Sequence, residues 1–197
     1  MRKVGFCAAL VAFAGAAGYS IVQILQIAGL LHRPWDDFLI YGTSLLIAAP
    51  FMVAMLAFYY TRREEKRFWS HAAVLFSLMY ATFATLMYVV QLTAVLPYKV
   101  SNPALTVYPH SLFWTVDSLA YVCMGLATLF AAPSFEPTRV ERWARGFFLA
   151  NAIMTPIVAT VYYYPTFSIP LLLLASPWIV TASGSTLLLA LVLDKAA

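Results

Sequence analysis

The sequence predicts an all-α, polytopic membrane protein: one domain over residues 1–197, built as a bundle of six transmembrane helices with both termini cytoplasmic. Three observations lead there. First, 63% of the residues are hydrophobic and 10% charged, with a mean hydropathy of +0.83. A soluble domain solvates its surface with about 25% charged residues, and a disordered chain needs low hydrophobicity and high net charge. Second, six apolar stretches fall at 4–31, 38–60, 70–96, 111–132, 147–164 and 168–193, each near the length that crosses a hydrocarbon core as a helix. Third, Lys and Arg are distributed very unevenly between the connections. A transmembrane β-barrel would need short segments of alternating polarity, and continuous runs such as Leu171 to Leu174 do not alternate.

The first stretch opens like a signal peptide, with Arg2 and Lys3 before an apolar run and small residues through Ala14. Its apolar run continues to Leu31, beyond a usual signal core, so it is expected to remain as the first helix. The second carries Pro50, the fifth Pro156 and the sixth Pro177; each is expected to kink its helix (prolines are tolerated in membranes when neighbours satisfy the freed carbonyls). The third follows the charged loop TRREEKRFW (61–69), and the fifth, the shortest, follows SFEPTRVERWARG (134–146). Between the third and fourth lies PYKVSNPALTVYPH (97–110), where three prolines deny regular structure; it reads as a lid, a docking surface or a plain connection. The fourth contains Asp117. Small residues over Thr181 to Thr186 should let the sixth pack closely.

With the N-terminus inside, ten of the 12 Lys and Arg residues are cytoplasmic and only Arg33 and Lys99 lie outside. The net charge of +4 is therefore a topology signal, and no nucleic-acid partner is expected. Trp35, Trp69, Trp114 and Trp143 fall at span ends, where amphipathic rings suit the headgroup level. Cys7 and Cys123 form no redox motif and are expected to pack as small apolar residues.

The few polar residues within spans carry the functional information. Ala8, Ala12, Gly15, Tyr19, Gln23 and Gln26 recur at three- and four-residue spacing, which puts them on one helix face. Ser77, Ala81, Ala84, Tyr88 and Gln91 repeat that layout; Trp114, Asp117, Tyr121, Met124 and Thr128 align on the fourth span, and Asn151, Thr155 and Tyr162 on the fifth. Tyr41, Thr43 and Ser44 of the second span lie at a similar depth. The orientation places Gln23, Gln26, Tyr88, Gln91, Asp117 and Tyr121 together in the outer half of the membrane. These six are the candidate ligand-binding residues. Asp117 is the one acid inside a span, so it should face the interior, be paired or be protonated. It reads either as a hydrogen-bond hub or as a ligand, proton or cation site.

No catalytic residue, metal ligand or cofactor is nominated. A lone Asp117 does not form a carboxylate dyad, His32, His71 and His110 are too scattered for a haem pair, and no phosphate-binding loop is present. The expected partners are the lipid bilayer, a small-molecule or lipid ligand, and a second copy or membrane partner subunit. Three roles follow: binding or transport of a small or amphipathic molecule through an outward-facing pocket around Asp117; a non-catalytic structural or accessory subunit packed through small-residue faces; and an intramembrane enzyme acting on lipid.

Residues 69–97, 109–133 (PHSLFWTVDSLAYVCMGLATLFAAP) and 162–178 (YYYPTFSIPLLLLASPW) together resemble a family of uncharacterised bacterial six-span integral membrane proteins. That resemblance implies a bacterial inner-membrane location and supplies no activity. A second likeness, confined to Ala8, Ala12 and Ala16, is to the substrate-binding components of energy-coupling-factor vitamin transporters, whose first helix uses small residues at that spacing.

Overall fold

The protein is described by a computed structural model over residues 1–166 and 168–195. Among the described residues 83% are helical and none lies in a strand. The helices are α1 (Arg2–Ile27), α2 (Trp35–Thr61), α3 (Arg67–Val90), α4 (Leu112–Ala131), α5 (Arg139–Tyr163), α6 (Ile169–Leu174) and α7 (Pro177–Lys195). A π-helical turn, Gln91–Val95, and a last turn, Leu96–Tyr98, extend α3. Six membrane-length apolar segments result, as expected of a multi-pass integral membrane protein.

Local chemistry explains where the helices depart from the apolar stretches. α1 stops at Ile27 rather than Leu31 because Gly29 takes a left-handed conformation, φ +69. The Gly29 N–H then bonds the Gln26 carbonyl, and the Leu30 N–H bonds that of Leu25, closing the helix end in the manner that favours glycine. α5 starts at Arg139, eight residues before the expected 147. Thr138 caps it, its hydroxyl accepting from the Glu141 N–H at 3.3 Å, and the Thr-x-x-Glu spacing is a helix-start signal. The sixth span is two helices, not one kinked helix. Pro177 has no N–H and constrains the preceding residue, so the chain breaks at Ala175–Ser176 and restarts. Pro50 and Pro156, by contrast, sit inside continuous helices.

The helices form an up-and-down ring in the order α1, α2, α3, α4, α5, α7, with α7 closing against α1. Gly5 and Leu193 are neighbours, so the start of α1 and the last turn of α7 lie at one end of the ring. The interior is packed by small residues, including Ala9, Ala12, Ala48, Ala54, Ala84 and Ala127, around Phe51, Met55 and Met124. Large aliphatics such as Ile21, Ile24, Leu75, Leu86 and Ile153 point outward. Lipid is as apolar as leucine, so close backbone approach rather than burial of bulk holds such helices together. At Gly125 a Cβ would run into the Thr155 side chain of α5, where Asn151 also donates to the Thr128 hydroxyl of α4 at 3.2 Å. Gly125→Val should force α4 and α5 apart and cost about 1–3 kcal/mol, read as a lower unfolding midpoint in detergent.

At the end that carries the start of α1 and the last turn of α7, the two charged connections dock onto each other. Arg62 is buried; its Nη1 meets Glu141 Oε2 at 2.6 Å and donates to the Ser134 carbonyl at 3.3 Å, and its guanidinium covers the Phe58 ring at 4.4 Å. Lys66 donates to the Phe135 carbonyl at 2.8 Å and pairs with Glu136 at 3.1 Å. The Lys66 ammonium holds the Glu136 carboxyl below the ordinary range, aided by Arg63 and Arg62. Cys7 and Cys123 are both free thiols.

Candidate functional site

The opposite end of the ring is looser. A cavity of about 520 Å³ opens between α1, α2, α3, α4, α5 and α6, and Gln23, Gln26, Tyr88, Asp117 and Tyr121 all line it. The helical repeat on α1, α3 and α4 aims these side chains inward at a common depth, so five of the six candidate residues come together. That volume lies within the ~300–1,000 Å³ range of small-molecule sites.

Asp117 is 7% exposed and is held from two sides. The Tyr88 hydroxyl of α3 donates to Oδ1 at 2.8 Å, and the Tyr162 hydroxyl of α5 donates to Oδ2 at 2.7 Å. No ion pair with Asp117 occurs among the described residues; Arg33, at the cavity margin, pairs with Asp37 at 3.4 Å. Aromatic rings back both tyrosines. Tyr41 stacks on Tyr88 with centroids 5.7 Å apart, and Trp114 and Tyr121 lie 4.6 and 5.8 Å from Tyr162. The Trp114 indole N–H donates to the Tyr162 carbonyl at 2.8 Å, which ties the start of α4 to the end of α5.

Gln23 and Gln26 belong to a directed chain along the first helix. The Tyr19 hydroxyl donates to Gln23 Oε1 (2.8 Å), Gln23 Nε2 to Gln26 Oε1 (3.0 Å), and Gln26 Nε2 to Asp36 Oδ2 (2.9 Å). The i, i+3 and i, i+4 spacings that put these residues on one face also make them neighbours.

Gln91 departs from the expected group. It opens the π turn, donates through Nε2 to the Leu105 carbonyl, and lines an adjoining cavity of about 740 Å³ with Lys99 and Val100. The wider turn redirects the end of α3 toward the 99–110 connection, which Gln91 anchors. That connection in turn places Val107, Tyr108 and Pro109 in the wall of the Asp117 cavity, so it serves as a cover as well as a link. Of the other polar groups weighed from sequence, Tyr41 reaches the cavity, Thr43 bonds back to the Leu39 carbonyl at 2.7 Å, and Ser44 is buried.

No known protein family, curated protein or solved structure matches the chain. The chemistry of the cavity must therefore be read from its own groups. Among the described residues no cluster of three or more His, Cys, Asp or Glu residues is placed to hold a metal ion, and the His110 ring is engaged with the Pro165 carbonyl at 2.9 Å. Among the described residues no second carboxylate is hydrogen-bonded to Asp117, and Tyr88 and Tyr162 share it as acceptor. The arrangement fixes a carboxylate and surrounds it with ring faces.

Proposed function

We propose that the protein binds a small or amphipathic molecule in the Asp117 cavity, from the outer side of the membrane. The observation that carries this reading is the convergence of Gln23, Gln26, Tyr88, Asp117 and Tyr121 on one cavity. The unequal division of Lys and Arg between the two ends supports an outward-facing cavity, and the resemblance to bacterial six-span proteins supports the bacterial inner membrane. Tyr108 and Pro109 in the wall give the outer connection a part in admitting or retaining the ligand.

Native mass spectrometry of the protein released from mild detergent tests this directly. The expected result is a retained small molecule or lipid, diminished in Tyr121→Ala. A clean apo-protein from membranes and from lipid-supplemented detergent alike would sink the binding reading, and a stoichiometric partner chain in its place would favour a structural subunit.

A further inference from the structure

We infer that the occupant of this cavity is an organic cation: a protonated or quaternary amine with an apolar body. This rests on the binding reading above and names its ligand class. The rings that line the cavity with Asp117 form two groups, Tyr41 with Tyr88 and Trp114 and Tyr121 with Tyr162. The faces of aromatic rings carry negative potential and attract ammonium groups, most strongly where water is excluded. The Tyr88 and Tyr162 hydroxyls already donate to Asp117, so what these two residues leave to a ligand is ring face, beside the unused lone pairs of the carboxylate.

Charge points the same way. Asp117 and Asp37 line the cavity against the single base Arg33, which is itself paired with Asp37. A buried carboxylate without a cationic neighbour is costly, and a ligand cation supplies the missing charge. An anion would be repelled by Asp117, and one N–H of each of the Gln23 and Gln26 amides is already engaged. A small metal ion would need a cluster of hard ligands that the described residues do not assemble. A neutral polyol would need many free donors and acceptors, whereas the wall is mostly aromatic and aliphatic.

The test compares two probes of nearly identical shape, choline and its uncharged isostere 3,3-dimethylbutan-1-ol, by saturation-transfer NMR on the full chain in an uncharged maltoside detergent. The expected result is that choline binds about tenfold or more tightly than the alcohol. Asp117→Asn, checked for folding by its unfolding midpoint, should abolish that preference. Trp114→Leu keeps both tyrosines that bond Asp117 and should lower choline affinity several-fold, which keeps the test decisive if Asp117→Asn does not fold. Equal binding of the two probes, failure of choline to bind the folded protein, or an unchanged preference in folded Asp117→Asn each overturns the cation assignment. A neutral molecule retained in native mass spectrometry would do so while leaving the binding reading intact.

Discussion

Asp117→Leu should lower the unfolding free energy of the detergent-solubilised protein by about 1–4 kcal/mol, and Asp117→Asn by less. Leucine removes the acceptor of two hydroxyls, Tyr88 and Tyr162, and each buried donor left without a partner costs about 1–3 kcal/mol. The loss is moderated because leucine also removes the cost of burying a carboxylate, and because hydrogen bonds in membrane proteins average only about 0.6 kcal/mol by double-mutant cycles. Asparagine keeps an acceptor and most of the shape. A triple variant separates the causes. Adding Tyr88→Phe and Tyr162→Phe to Asp117→Leu removes the orphaned hydroxyls, so it should recover much of the lost stability. If it recovers nothing, the cost lies in packing at position 117 and the hydrogen-bond account fails. Ligand retention should stay lost in the triple variant, since the charge is gone.

The second large effect is expected at the other end of the ring. Arg62→Ala should cost about 3–5 kcal/mol, the usual penalty for leaving one member of a buried ion pair unmatched. Arg62 is 6% exposed, and Glu141 would keep only the Glu136 N–H, at 2.6 Å, as a short partner. Replacing both residues, as Arg62→Met with Glu141→Leu, should lose much less than Arg62→Ala alone. Unfolding midpoints for wild type, Arg62→Met, Glu141→Leu and the double variant, with Arg62→Ala beside them, check the claim; a double variant as unstable as Arg62→Ala would show that the arginine acts through Ser134 and Phe58 instead. The buried pair should also resist salt, whereas the exposed Arg63–Glu136 contact, at 3.6 Å, should be screened.

The six apolar segments were legible because their signal is compositional and spread over some twenty residues each. The boundaries that shifted were written in single residues: Gly29 for the end of α1, Thr138 with Glu141 for the start of α5, and Pro177 for the break in the sixth span. Asp117, Tyr88 and Tyr121 could be read as a site because helical spacing and topology together fix depth and face. Tyr162 was visible on the fifth stripe, but its role depended on which way α5 turned toward α4, and that is decided by packing at Gly125 and Thr155. Trp178 was invisible as a neighbour of Tyr121, 4.9 Å away, because the break before it reorients the whole of α7. Gln91 lines the adjoining cavity rather than the Asp117 one because spacing assumes a regular helix and α3 widens there. The docking of Arg62 and Lys66 onto residues 134–141 left no trace in composition, since each loop contains enough opposite charge to look self-sufficient.

That docking has a temporal side. Arg62 and Glu141 are 79 positions apart in the chain, and a ribosome adding about 5–20 residues per second needs roughly 4 to 16 s to pass from one to the other. During that interval α3 and α4 are made while Arg62 still faces water or lipid headgroups. The arginine can withdraw from them only when α5 begins to emerge. The fastening of the first half of the protein is thus encoded in its second half, and an arrest of synthesis just before Glu141 would leave α1 to α4 made with the Arg62 tie still open.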